Sequence, residues 1–423
     1  MSSFRHGLVV ALFALAAALL LPQTARAAIG AIDDTPGSTL LFPYFEVDLA
    51  DPAGRDTVLT LQNASATAIL AHTVVWSDEG VASAIFDVYL TGYDIASFSM
   101  RDVIAGQLPQ TATDGQDPSD TISPQGPYSQ DINFASCGSR LPYPAGTIPA
   151  PAGMTPADLR NALTGAPTTD IAPGMCWGRN VGDGRARGYV TVDLVNSCND
   201  FKPGDPGYAD TPNNFLTSQN ALLGSFVIAT PATHEWFADN AVSIESTFLN
   251  DPPSITTPGN YTFYGRYNGW NAGDRREPLP TTWVAHGEID TSSLIVWRDT
   301  KTDGQPRACG SDPAFYPLPQ VGFATFGPDS SYGTPGAGTP LAAAAQRAPV
   351  SVLGTVDRKL GQFFANLNAS VPAGGANPPA DPLAAQSYVG VVRARLGELP
   401  TASGHRALPL DSALDAQHYI PHN

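Results

Sequence analysis

Phe86-Asp87-Val88-Tyr89-Leu90 decides the fold. Phe86, Val88 and Leu90 alternate with Asp87 and Tyr89, which is the period of a half-buried strand. Upstream, Asp78-Glu79-Gly80 reads as a turn and Ile69 to Trp76 as the preceding strand. Asn63-Ala64-Ser65-Ala66 is another turn, behind the partly alternating Val58-Leu59-Thr60-Leu61-Gln62. Thr39 to Phe45 opens the series, and Pro43, which cannot donate to a ladder, places that strand at a sheet edge. Downstream, Ile95, Phe98 and Met100 lie in a short strand or bend.

The alternation returns at Gly188, where Val190, Val192 and Leu194 interleave with Thr191 and Asp193. Further strands are expected at Leu222–Thr230, Ala241–Thr247, Tyr261–Tyr267, Trp283–Ile289, Ser292–Arg298 and Val321–Phe326. Tyr388–Leu396 and Arg406–Leu410 read as a closing hairpin. Strands so spaced, joined by polar turns, imply an all-β antiparallel sandwich, Ig-like or jelly-roll-like. It forms one elaborated domain or two abutting ones, with a possible seam near 252–258.

Two stretches break the pattern. Residues 107–187 are rich in Pro, Gly, Asp, Ser and Thr. One helix is expected there: Thr155 caps it, Pro156 opens its first turn, Asp158 completes a box-like pattern and Gly165 ends it. Residues 327–383 are rich in Gly, Pro and Ala, with a short helix expected after Thr339-Pro340 and a Pro/Gly linker at 371–382. Val356, Leu360, Phe363, Phe364 and Leu367 recur at helical spacing, so a second helix is expected over Val356–Leu367 despite Gly361.

Residues 1–27 have the plan of a secretory signal: Arg5 in a polar head, an apolar run from Leu8 to Leu21, then Ala25-Arg26-Ala27. That run is 14 residues, and a bilayer span needs about 20. The mature chain, 28–423, is therefore expected outside the cytoplasm, with no membrane span: extracellular, on the cell surface or periplasmic. It keeps 20 basic residues against 39 acidic ones. Nucleic acid is excluded as a partner, because phosphate backbones demand clustered Lys and Arg. Asp outnumbers Glu 32 to 7, the bias of a chain built from turns, since the short Asp side chain bonds nearby backbone.

The chain has four cysteines, Cys137, Cys176, Cys198 and Cys309. An even number in an oxidising compartment implies two disulfides. Zinc is disfavoured because no two are closer than 22 residues. Cys137–Cys176 is the expected staple of the first excursion, leaving Cys198–Cys309; Cys176–Cys198 is the rival.

No catalytic motif is present. A nucleophile elbow is missing, and His234-Glu235 lacks the second His of a zinc protease. Glu46, Glu79, Glu235, Glu245, Glu277 and Glu288 could each join a glycosidase pair, a distance that sequence does not show. His72, on an apolar strand, is read as a satisfied core residue. Asp114, Asp117 and Asp120, and the loop of Asp299 and Asp303-Gly304, depart from calcium-loop spacing and are read as turn residues. The densest unusual cluster is aromatic and basic: Tyr264, Arg266, Tyr267, Trp270, Arg275, Arg276 and Glu277. It could hold a sugar or peptide by stacking and charge-assisted hydrogen bonds. The favoured reading is that its rings are core and its arginines pair with acids.

Four blocks carry a resemblance: Leu40-Leu41-Phe42-Pro43-Tyr44-Phe45, Phe86 to Asp94, Thr262-Phe263-Tyr264-Gly265-Arg266-Tyr267, and Arg276-Glu277-Pro278-Leu279-Pro280. They resemble segments of exported bacterial β-rich proteins of no assigned function. The resemblance implies export and a β fold, and no activity, cofactor or catalytic residue. The expected role is therefore non-enzymatic, recognition or structure, toward an unknown surface, glycan or protein partner and with no cofactor. A secreted carbohydrate-active or other hydrolytic enzyme and a calcium-dependent adhesive module are the alternatives.

Overall fold

The structure, a computed structural model, describes residues 35–209, 215–233, 235–247, 262–264, 274–288, 292–300, 304–313, 318, 320, 322–327, 329, 331–334, 341–354, 360–367, 386–393 and 403–409. The expected signal peptide, the seam at 252–258 and the linker at 371–382 lie outside these residues. The short helix expected after Thr339-Pro340 needs correction: the described residues 341–349 form a turn and then the strand Ala345–Pro349, which pairs with Ser293–Trp297.

The chain is mostly β, in antiparallel sheets. Strands β1 (Thr39–Asp48), β2 (Asp56–Asn63), β3 (Ile69–Ser77), β4 (Ala82–Leu90) and β5 (Ile95–Ser99) lead into helix α1 (Met100–Ile104). Helix α2 (Pro156–Thr164) precedes β6 (Met175–Cys176), β7 (Arg185–Val195), β8 (Leu222–Thr230), β9 (Glu235–Asn240) and β10 (Val242–Ile244). Then come β11 (Thr282–Glu288), β12 (Ser293–Arg298), β13 (Arg307–Ala308), β14 (Gly322–Phe326), β15 (Tyr332–Gly333) and β16 (Ala345–Pro349). β17 (Leu360–Asn366), β18 (Ser387–Arg393), β19 (Ser403–Arg406) and β20 (Leu408–Pro409) complete the series. The central sheet runs β10-β1-β7-β3-β4 and a second runs β5-β2-β8-β9. The later strands form β16-β12-β18-β19 and β15-β14-β17-β11-β20, with β13-β6 as a small ribbon. Tyr388–Leu396 and Arg406–Leu410, expected as a closing hairpin, meet only at Arg406: β18 pairs with β19, Gly390 opposite Arg406, whereas β20 joins β11.

The alternation of the central sheet explains its first packing face. Phe42 meets Phe226 of β8 edge-on at 6.2 Å, and Phe86 meets Phe98 of β5 at 6.0 Å. The two sheets thus close face to face as a sandwich. Each fully buried Leu or Phe contributes about 1.5–3 kcal/mol of transfer free energy.

The other face is not solvated. Every residue of β3 and β4 is buried, where a half-buried strand was expected. The reason is the first excursion, which lies down over that face. Helix α2 packs on β3, β4 and β7, burying Leu159, Ala162 and Leu163. Thr155 Oγ1 accepts the Asp158 N–H at 3.1 Å, and Gly165 closes the helix at φ 72°. The Asp158 carboxylate accepts the Thr169, Asp170 and Ile171 amides instead of returning to the cap, which moors the next loop. Gly188 marks the closest approach within the sheet: a Cβ there would lie 1.9 Å from the Trp76 carbonyl oxygen.

Four more expectations need correction. β1 is not an edge strand, since β10 and β7 flank it. Its register with β7 slips between Phe42 and Phe45, and this bulge is what accommodates Pro43. The helix expected over Val356–Leu367 is instead β17, with 355–359 outside the described residues. Phe363, Ala365 and Leu367 are buried at period two; Phe363 and Leu367, four residues apart, share a face in a helix as well as in a strand. Of the strand expected at Tyr261–Tyr267, residues 262–264 form a turn, fixed by the Tyr264 amide donating to Asp274 at 2.8 Å.

The fourth correction is the disulfide pairing: all four cysteines are bonded, as Cys137–Cys198 and Cys176–Cys309. The excursion does not close on itself. It is tied to the elements it covers, Cys137 to the end of β7 and Cys176, opposite Arg307 in the β6–β13 ribbon, to the second half of the chain.

Candidate functional site

The buried polar face of the central sheet carries one row of side chains across four strands. Asp87 opposes His72, His72 opposes Asp193, and Asp193 opposes Thr39. His72 Nδ1 lies 2.7 Å from the Asp87 carboxylate and Nε2 lies 2.7 Å from the Phe201 carbonyl. Both partners are pure acceptors, so both ring nitrogens donate and the ring is an imidazolium. Burial drives the imidazolium toward neutral, but Asp87 outweighs it and raises the pKa above the ordinary value. The Asp193 carboxylate accepts from Thr39, from Tyr208 at 2.6 Å and from Tyr264 at 2.7 Å. Arg276 Nε donates to Thr39 and lies 3.5 Å from Asp193.

This row settles the places of the aromatic and basic candidates. Tyr264, Arg276 and Glu277 are buried, and Tyr264 and Arg276 are bound into the network beside Asp193 and Asp274. Arg275 is half-buried, and its carbonyl accepts the Thr247 amide. Arg266, Tyr267 and Trp270 lie outside the described residues. His72 is a satisfied core residue, as read from its strand.

A different cluster faces solvent. Tyr44 and Glu46 of β1, Arg55 before β2, Arg179 and Val181 before β7, Arg185 and Arg187 of β7, Glu235 of β9, and Gln346 and Arg347 of β16 line one cleft of about 410 Å³. The pleat builds it. Glu46 opposes Arg187 and Asp48 opposes Arg185, so two arginines stand in line beside two acids. The lining holds five of the chain's 22 basic residues and two carboxylates.

Glu46 is the buried hub. Its carboxylate accepts from Arg55 at 2.9 Å, Arg185 at 3.0 Å and Arg187 at 3.3 Å. Burial raises its pKa, but Arg55 and Arg187 overcome this and hold it below the ordinary value. Arg187 also binds Asp183, which that hydrogen bond holds at about 2. Arg55 reaches Glu235 at 2.9 Å with its other terminal nitrogen.

Arg347 stands apart. Its Nε donates to Ser293 at 2.9 Å, and its closest carboxylate oxygen, on Glu46, is 3.9 Å away. Among the described residues its two terminal nitrogens make no hydrogen bond, and the side chain is 28% exposed. Burial and the neighbouring Arg55 cation lower its pKa.

Such a cleft offers fixed guanidinium donors to an anion, in a concave wall that concentrates their field. Glu46 and Glu235 both bond Arg55, at 2.9 Å each. Elsewhere Asp117 turns inward on its own loop, accepting from Ser119 and from the Ile122 and Thr121 amides, which holds it at about 2. Among the described residues no three His, Cys, Asp or Glu side chains converge as a metal site requires. None of the described helices is long and apolar enough to cross a membrane.

Of the cleft residues, only Glu46 and Glu235 figured among the sequence candidates. The arginines have a signal after the fact: Arg185-Ala186-Arg187 and Tyr44-Phe45-Glu46-Val47-Asp48 alternate with opposite charge at the same period. Comparison of the chain with protein-family models, with curated proteins and with solved structures finds no match.

Proposed function

We propose that this is an exported protein that acts by recognition, and that its ligand is anionic and enters the arginine cleft. Arg347 is the observation that carries the reading. Its Nε is held by Ser293 and its terminal nitrogens come no nearer than 3.9 Å to Glu46, so a part-exposed, fixed guanidinium keeps donors that an anion can take. The concentration of arginines in an acidic chain supports it. The field of the molecule as a whole repels anions, so the cleft is where one can be held. The two disulfides belong with an oxidising compartment, which fits a place outside the cell, on its surface or in the periplasm.

Citrate is a suitable first probe, titrated calorimetrically at low salt. Arg347→Ala is expected to weaken it about tenfold or more, since a charge-assisted hydrogen bond contributes about 1.5–3 kcal/mol. Raising the salt is expected to weaken it further. Citrate binding that is unchanged in a folded Arg347→Ala variant overturns the reading.

A further inference from the structure

We infer that the protein carries a separate site for an uncharged oligosaccharide, on the outer face of the β5-β2-β8-β9 sheet. The registers of the four strands define that face. Phe98, Leu59, Phe226 and Phe237 turn inward and are buried. The alternate residues point outward, and one row of them is neutral and hydrogen-bonding: Ser97 opposes Thr60, Thr60 opposes Ser225 and Ser225 opposes Asn240. The next row is apolar, with exposed Val58 opposite exposed Val227, and Val227 opposite Ala238. Trp236 follows on the same face, opposite Ala229 and 44% exposed. Along β9 it stands about 13 Å from Asn240, at ~3.3 Å per residue.

The polar row is hollowed into a groove of about 230 Å³, lined by Thr60, Gln62, Ser225, Asn240 and Ser243, with Leu223 beside them. A water takes up ~30 Å³ in the liquid, so the groove has room for something larger. Thr60 is bonded to Ser97 at 2.9 Å. Among the described residues the side chains of Gln62, Ser225 and Ser243 make no hydrogen bond. An amide and two hydroxyls offer both donors and acceptors, and every hydroxyl of a sugar answers both.

Charge excludes the other small ligands. Of the outward positions on these four strands only Asp56 is charged, and it is held by Ser99 at 2.7 Å and by Arg101. An ion buried on this face would meet no counter-charge, which is costly, so the face complements a neutral ligand. An uncharged peptide is the nearest competitor. Peptides join sheets by adding a strand to a free edge through their main chain. This groove lies on a face, where the ladders already link β5, β2, β8 and β9. What the face offers is side-chain hydroxyls and amides for a polyol, and an indole surface for the apolar side of its rings.

Cellotetraose, maltotetraose, xylotetraose and mannotetraose are the probes, with capped tetraserine as a hydroxyl-bearing chain without rings. Each is titrated calorimetrically, at low and at high salt, into wild type, Trp236→Ala, Gln62→Ala and Arg347→Ala, with urea unfolding as the check that each variant is folded. At least one tetrasaccharide is expected to bind, more tightly than tetraserine. Trp236→Ala is expected to weaken it about tenfold or more and Gln62→Ala severalfold. Arg347→Ala and added salt should leave it within twofold, which separates this site from the arginine cleft. Failure of all four sugars to bind, binding no better than that of tetraserine, or binding that survives both Trp236→Ala and Gln62→Ala overturns the assignment. So does sugar binding that depends on Arg347. A wild-type dimer in sedimentation that Trp236→Ala converts to a monomer gives the face to a second copy of the chain and overturns it as well.

Discussion

Asp193→Asn replaces one oxygen of a wholly buried carboxylate by an NH₂ group of the same size. The carboxylate now receives Thr39 on one oxygen and both Tyr208 and Tyr264 on the other, and faces Arg276 at 3.5 Å. However the amide turns, its NH₂ meets hydroxyl donors that had an anion to bond. Arg276 keeps Asp274 at 3.6 Å as its remaining acidic neighbour. Each hydrogen bond to a charged group contributes about 1.5–3 kcal/mol, and removing one partner of a buried charge network costs about 3–5 kcal/mol. The expected loss is thus about 3–5 kcal/mol, read from urea unfolding with the disulfides intact. Glu235→Gln is the control: it removes an ion pair with an exposed acid and is expected to cost under about 1 kcal/mol. An Asp193→Asn variant as stable as that control would refute the view that the second face of the sheet is held by this network.

Further outcomes follow from the same structure. The His72 pKa is raised in the folded state, so its stabilising effect is complete below the unfolded value of about 6.5 and is lost as pH rises through the native value; the stability gap between wild type and His72→Gln should therefore narrow in alkali, and parallel curves would contradict the ion pair. Replacing Cys137 and Cys198 by Ser opens a loop of sequence separation 61, worth about 4 kcal/mol in the chain-entropy view. Non-reducing peptide mapping should join Cys137 to Cys198, and a Cys137–Cys176 peptide would refute the pairing. Gly188→Ala drives a methyl into the Trp76 carbonyl and should cost about 3 kcal/mol or more; a neutral substitution there would place the strands farther apart than described.

Strands with clean alternation were legible from their own residues: β4, β7 and β8 stand where Phe86–Leu90, Val190–Leu194 and Leu222–Thr230 indicated. Capping chemistry located α2 equally well, because Thr155, Pro156 and Gly165 act locally. What failed was everything that depends on a partner distant in sequence. Asp87, Thr191 and Asp193 look like a solvent face, and residues distant in sequence make them core, Tyr143 of the excursion over Asp87 and Tyr208 and Tyr264 over Asp193. Cysteine pairing followed that same cover. In β17 Leu360 and Phe364 lie four residues apart, as do Phe363 and Leu367, a spacing that puts each pair on one face of a helix or of a strand alike, and pairing with β11 and β14 chose the strand. The cleft was hidden by strand ends. Reading β1 as finished at Phe45 and β7 as starting at Gly188 cut away Glu46, Asp48, Arg185 and Arg187, the residues whose cross-strand pairing forms the site.

The most direct measurement is the position of a bound anion. Crystals soaked in selenate and recorded at the selenium edge locate it by anomalous scattering, independently of any assumed ligand. The expected result is a peak in the cleft, within hydrogen-bond reach of the Arg347 terminal nitrogens and shared with Arg185 or Arg55. Selenate bound elsewhere on the molecule, with the cleft unoccupied at the same concentration, would contradict it.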